Sequence, residues 1–385
     1  MGKVITYIGA INEMDFQKDV ILTPSYLAKW LNTECDLYYG VSTATKSLPA
    51  NFRNVELKNL DAKENTFMYA CKLIKVILFR AHDIECLVTF HVSTLTIILV
   101  LLLKLVNPKA KAWVLGDLNL DIAIQLVSNE FVFSKGVKGM IKGLLINRFF
   151  MKLDIYSLET RKYVEMFTPL FDKKGWKALT YFPCGWDEDN PNSSNEECIQ
   201  KENMILSCAR FGTFQKNTEM LLEALAKLDL NDWKVYLVGP ITTGFHLNNN
   251  NEFEAYIQNY YKSYPILKDK VIFTGAIFDT KILFDYFKKA KVFVMTSRYE
   301  GFANVFSQAR WNQCYIVSTD VGGACDMSNN WQYGKMVQQD NPDFLANILQ
   351  NIIKGSIDIS GREFADTISY NYIIPTYILP MFKKK

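Results

Sequence analysis

Short runs of β-branched and aromatic residues alternate with helical patterns along most of this chain, which restricts it to an α/β protein built on parallel sheets. The strand candidates of the first half are Val4–Ile8, Asp36–Tyr39, Cys86–Phe90, Ala112–Leu115, Asp154–Leu158 and Leu179–Phe182, with helical segments such as Tyr69–Phe79 and Lys162–Phe167 between them. A polar stretch, Asp187 to Glu197, then interrupts the pattern. It contains Pro191 and little that could enter a core, so it reads as a linker. The alternation restarts with Met204–Cys208, Lys234–Val238, Val271–Thr274, Val292–Thr296 and Tyr315–Thr319, and with a helix over Thr218–Leu228. The expected organisation is two Rossmann-like domains, 1–186 and 201–360, joined by a linker at 187–200. A C-terminal segment, 361–385, is too aromatic to remain free and is expected to pack back on the body. Two such sheets would face a central cleft, with ligands at the carboxyl ends of their strands.

The chain has 385 residues, of which 49% are hydrophobic and 22% charged, enough apolar material for two cores. A net charge of +3 is too mild to argue for nucleic acid. The eight cysteines include no Cys-x-x-Cys pair, so local spacing gives no zinc or redox motif, and buried reduced thiols in a cytoplasmic protein are expected. The N-terminus reads as a first strand rather than a signal peptide. The run Leu95–Val106 is the one serious membrane candidate, but its dozen residues fall short of the roughly 20 that span a bilayer, which favours a helix buried against a sheet.

Two strings carry chemistry. The first runs from Ser207 to Asn217 and places Arg210 and Lys216 on the loop after a strand, where two fixed cations can stabilise charge developing on a departing diphosphate. Taken alone they read more readily as solvated loop residues, and it is the second string that shifts the balance. The second runs from Val292 to Ala309. Gly301 permits close backbone approach, Glu300 can accept from sugar hydroxyls, and the N–H groups opening the next helix suit phosphate or hydroxyl oxygens. Gln308 follows Glu300 by eight residues, about two helical turns, and so returns to the same face.

With Ser297-Arg298-Tyr299-Glu300-Gly301-Phe302, the preceding Arg210 and Lys216, and the later Asp320-Val321-Gly322-Gly323, the chain resembles glycosyltransferase family 4, the retaining group of GT-B fold. The likeness is firm over Met204–Leu349 and weaker over Asp154–Thr160 and Tyr181–Asp187. It implies a metal-independent, retaining enzyme in which Arg210 and Lys216 hold the donor diphosphate. Glu300 and the backbone of Gly301, Phe302, Ala303 and Asn304 would hold the donor sugar, and Ile277 would meet the base. It further implies a UDP- or GDP-linked sugar donor and a glycan acceptor in capsule, O-antigen or exopolysaccharide assembly, with no cofactor.

Two positions depart from the family pattern. Its second glutamate is replaced by Gln308, which keeps one amide oxygen for the ribose hydroxyls but loses charge assistance. Its N-terminal-domain histidine is replaced by the string Gly116 to Asp121. Asp117 is there the candidate to orient the acceptor or take its proton, with a helix N-cap as the alternative. Asp121 and Gly9 are assigned to the acceptor wall, and His91 is the rival of Asp117, although a lone histidine at a strand end is more often a core residue. Asp187-Glu188-Asp189 resembles a metal-binding Asp-x-Asp string but lies in the linker and reads as solvated.

The segment 131–152 holds Lys135, Lys138, Lys142, Arg148 and Lys152 among apolar residues, with no acid. It suits peripheral contact with an anionic membrane, and hence a polyprenyl-diphosphate-linked acceptor on the inner face of the cell membrane. An ordinary amphipathic helix with a basic outer face is the other reading. Two rival functions remain at this level: a nucleotide-sugar epimerase of the same fold, and a catalytically silent partner subunit, for which Gln308 is the motive.

Overall fold

A computed structural model describes residues 2–41, 48–192, 200–241, 250–359 and 366–383. The chain divides into two compact units. The first comprises Met1–Asp187 with Ser369–Lys385, and the second Glu188–Ile368.

The strands of the first unit are β1 (Lys3–Ile8), β2 (Cys35–Val41), β3 (Asn51–Phe52), β4 (Val55–Lys63), β5 (Ile84–Phe90), β6 (Lys111–Gly116), β7 (Ile155–Leu158) and β8 (Leu179–Tyr181). They form one sheet in the order β3-β4-β2-β1-β5-β6-β7-β8, parallel except for the short β3–β4 pair. The second unit contains β9 (Glu202–Cys208), β10 (Lys234–Val238), β11 (Val271–Gly275), β12 (Ala290–Met295), β13 (Tyr315–Thr319) and β14 (Gly334–Val337). Their order is β11-β10-β9-β12-β13-β14, all parallel, which is the Rossmann arrangement with its reversal between β9 and β12.

The expected strands and helices all form, with ends shifted by a few residues. The additions are β3, β4 and β14. Strand β4 alternates buried and exposed positions and carries Glu56, Lys58 and Lys63, so it lacks the continuous apolar run that marks its neighbours.

Each sheet is covered by helices whose apolar stripes form the cores. On one face of the first sheet, Thr94–Val106 buries Thr96, Leu99, Val100 and Leu103 and starts at Ser93, whose side chain accepts from Thr96 N at 3.1 Å. The membrane candidate is therefore a core helix, and no described helix is long and apolar enough to cross a bilayer. The other face is covered by Asp19–Trp30 and by the C-terminal segment, which contributes Tyr370, Ile373, Ile374 and Ile378 to the same core. Tyr26 and Tyr370 stack there with centroids 4.9 Å apart.

The expectation of a solvated acidic string at 187–189 fails at its first residue. Asp187 accepts two 2.8 Å bonds from Arg53 and one of 2.8 Å from Tyr26, which ties it to the first unit. Residues 193–199, including Cys198, lie outside the described residues.

Beneath the first sheet's amino end, Asp36 is wholly buried and gathers Lys3, Lys58 and Arg80, which also bonds Tyr38. Burial acts to raise its pKa, but the bonds from Arg80 and Lys58 and their charges outweigh it, and the carboxyl sits below its ordinary value.

Candidate functional site

In the second unit, the loops leaving β9 and β12 lie side by side at the point where strand order reverses, the place where open α/β sheets bind ligands. The β9 loop carries Arg210 and Lys216. The β12 loop carries Glu300 and Gly301 and opens the helix Asn304–Trp311.

Lys216 Nζ meets Glu300 Oε1 at 2.5 Å, with both side chains largely buried. Gln215 donates to Glu300 Oε2 at 3.1 Å and to Tyr299 O at 3.0 Å. The two loops are further joined by Arg298 N donating to Gln215 O at 2.7 Å, and by Thr296 Oγ1 donating to the carbonyls of Lys216 and Asn217. Asn217 opens the helix Thr218–Leu225 from a left-handed conformation, turning the chain sharply after Lys216.

Arg298 was legible only as part of a string, yet it braces the whole arrangement. Its guanidinium donates to Phe214 O and to Asp340, each at 2.7 Å, and stacks over the Phe214 ring at 4.3 Å. Asp340 also accepts from Asn217 at 2.9 Å. Arg210 contrasts with these residues: its side chain is exposed and makes no ion pair among the described residues. The result is a fixed carboxylate–ammonium pair with an available guanidinium on the same loop.

Ala303 precedes the helix Asn304–Trp311 without a side-chain cap, and while Phe306 N bonds Ala303 O at 2.9 Å, the N–H groups before it can serve an acceptor. Gly322, after β13, has a positive φ of 49°, and a Cβ there would stand 2.5 Å from Gly301 O, so only glycine lets the two loops meet. Gln308 lies on this helix, and its Oε1 is buried with no hydrogen-bond partner among the described residues. Ile277 follows β11, at the far edge of the sheet, and is half-buried.

In the first unit, Gly9 and His91 follow β1 and β5, which flank that sheet's own reversal. His91 is exposed with a positive φ of 60°, so it is not a core residue. Asp117 follows β6 and is exposed, and it is not a helix cap. The helix Leu120–Ser128 is capped by Asn119, whose side chain accepts from Ile122 N at 2.9 Å, while Asp121 sits exposed in its first turn. Asp117 instead neighbours Glu159 and Asp19.

Segment 131–152 forms the helix Gly136–Lys152, which buries Gly139, Ile146, Phe149 and Phe150. Gly139 is required because a Cβ there would come within 2.1 Å of Ser134 O. The outer side is not merely basic: Val137, Met140, Ile141, Leu144 and Leu145 are exposed beside exposed Lys138, Lys142 and Arg148.

Residues 189–371 match the family model of glycosyl transferases group 1. The amylovoran biosynthesis glycosyltransferase AmsD of Erwinia amylovora is 27% identical over 123 residues, which is 32% of this chain and 31% of that protein. The chain thus spans about a third of that curated relative. Among solved structures, trehalose-6-phosphate from E. coli bound with UDP-2-fluoro glucose superposes with a TM-score of 0.66 at 11% identity, covering 100% of both chains. Anabaena HepE in complex with UDP gives 0.62 at 14% identity, covering 98% of this chain and 95% of that one. The fold is GT-B, with two Rossmann-like α/β domains.

Proposed function

We propose that this chain, whose second unit matches glycosyl transferases group 1, moves a sugar from a nucleotide-sugar donor to a glycan acceptor. The observation that carries the reading is the Lys216–Glu300 pair, with exposed Arg210 on the same loop as Lys216, at the β9–β12 reversal. Breaking the glycosidic bond places negative charge on the leaving diphosphate. Arg210 and Lys216 stabilise that charge more in the transition state than in the bound donor. Glu300, held by Gln215, accepts from the sugar hydroxyls, and Gln308 offers its amide oxygen to the ribose. Ile277 packs against the base. On this reading the two cations replace a metal at the diphosphate. The resemblance to family 4 supports a hexosyl transfer with retention of configuration.

A UDP-linked donor is supported by HepE and the E. coli structure, which hold UDP and a UDP-sugar analogue, and a GDP-linked donor rests on the resemblance to family 4 alone. Cell-surface polysaccharide assembly is supported by AmsD. A thermal-shift series with UDP, GDP and their sugars tests donor binding. At a hundredfold excess over Kd, a bound nucleotide stabilises by about 2.7 kcal/mol and raises Tm by roughly 5–10 °C. No shift with any of them would refute the reading and favour the silent partner subunit. A new epimer formed from the donor alone would favour the epimerase.

The exposed apolar and basic face of Gly136–Lys152 supports a peripheral site on the inner membrane and a polyprenyl-diphosphate-linked acceptor. Asp117, Asp121 and Gly9 are the acceptor-side residues, with Asp117 orienting the acceptor hydroxyl. Each basic residue at an anionic surface contributes about 1 kcal/mol, so flotation on anionic vesicles should exceed that on zwitterionic ones and fall in the double variant Lys138→Glu/Lys142→Glu. Equal behaviour on both vesicles would remove the electrostatic part of the proposal.

A further inference from the structure

We propose that Asp19, Glu159 and Cys184 form a site for one divalent metal ion of the zinc type in the first unit. Three segments far apart in sequence supply it. Glu159 follows β7, Cys184 lies just beyond the neighbouring β8, and Asp19 opens the helix Asp19–Trp30. One ligand atom from each falls within 4.8 Å of the other two. Tetrahedral zinc, with bonds of about 2.0–2.3 Å, holds its ligands roughly 3.5 Å apart, so a small contraction closes the site.

A second observation points to a ligand. Glu159 is 6% exposed, and its Oε2 is buried with no hydrogen-bond partner among the described residues. A buried carboxylate oxygen left unpaired is costly, and a cation removes that cost.

The donor set leads to the same place: two carboxylates and a thiol meet at one largely buried point, where a doubly charged ion offsets their like charge.

Donor chemistry selects the ion. Magnesium and calcium take oxygen ligands, whereas a thiolate with two carboxylates suits zinc. Around the three, Tyr370 hydrogen-bonds to Cys184 and Asp117 neighbours Glu159, the kind of outer support that orients metal ligands. The site belongs to the first unit, so it stands or falls independently of the donor reading in the second.

Chelator-stripped protein, dialysed against zinc chloride, should retain about one zinc per chain, as structural and catalytic zinc sites do. Glu159→Gln and Cys184→Ala should each weaken binding at least tenfold, on the order of the loss that site changes produce. A parent protein that holds no zinc would overturn the proposal. Unchanged binding in both variants would overturn it too, by placing the zinc elsewhere. Should the variants fold poorly, cobalt-loaded parent protein must show a thiolate-to-cobalt charge-transfer band, and its absence would be equally decisive.

Discussion

Replacing Arg210 by alanine should lower kcat with a nucleotide-sugar donor by about 10²–10³-fold, the usual cost of removing one stabiliser of developing charge, while stability changes by no more than about 0.5 kcal/mol. The second half of that expectation comes from the structure, because Arg210 is exposed and makes no ion pair among the described residues. Lys216→Ala should lose as much activity and also some stability. It leaves Glu300, 8% exposed, with Gln215 as its remaining side-chain donor among the described residues. An unpaired buried acceptor costs about 1–3 kcal/mol, more when charged. Steady-state rates with matched thermal melts separate the two effects. Arg210→Ala activity within a fewfold of the parent would contradict the diphosphate role.

The largest expected loss of stability away from the site is at Asp36. Asp36→Asn removes the buried negative charge shared by Lys3, Lys58 and Arg80 and turns one accepting oxygen into a donor facing cations. Breaking a buried ion pair costs about 3–5 kcal/mol. The partners here are a quarter exposed and regain some hydration, so about 3 kcal/mol is expected, or roughly 6–12 °C in Tm. The pH dependence has a definite sign. The folded pKa of Asp36 is depressed, so its contribution is complete above the unfolded value of about 3.9 and disappears as pH falls through the folded value. Denaturant melts of parent and variant at neutral pH and in strong acid check this, and the gap between them should narrow in acid. A gap that widened would contradict the assignment.

How much the sequence discloses depends on whether a feature is local. Lys234–Val238 and Tyr315–Thr319 are readable to the residue because each is a short β-branched and aromatic run with most of its side chains buried. Strand β4 escapes because it alternates and carries Glu56, Lys58 and Lys63. The pairing of Lys216 with the Glu300 loop follows from where the loops leave their strands. The work of Arg298 did not, since it depends on Phe214 and Asp340 arriving from separate loops. Asp117 as a helix cap was a reasonable reading of a residue type, but Asn119, two positions later, stands directly before the helical run and takes that role. A motif search on cysteine spacing cannot detect Asp19, Glu159 and Cys184, because only the fold brings them together.

The C-terminal stretch Ser369–Lys385 belongs to the same unit as the first 187 residues, with the whole of Glu188–Ile368 inserted between them. During synthesis, therefore, the second unit has all its residues before the first one does. Until Tyr370, Ile373 and Ile374 emerge from the ribosome, Tyr26 and its neighbours wait with an apolar flank open to water. The earlier-made body is the later one to be sealed, and its sheltering in that interval falls to chaperones or to speed.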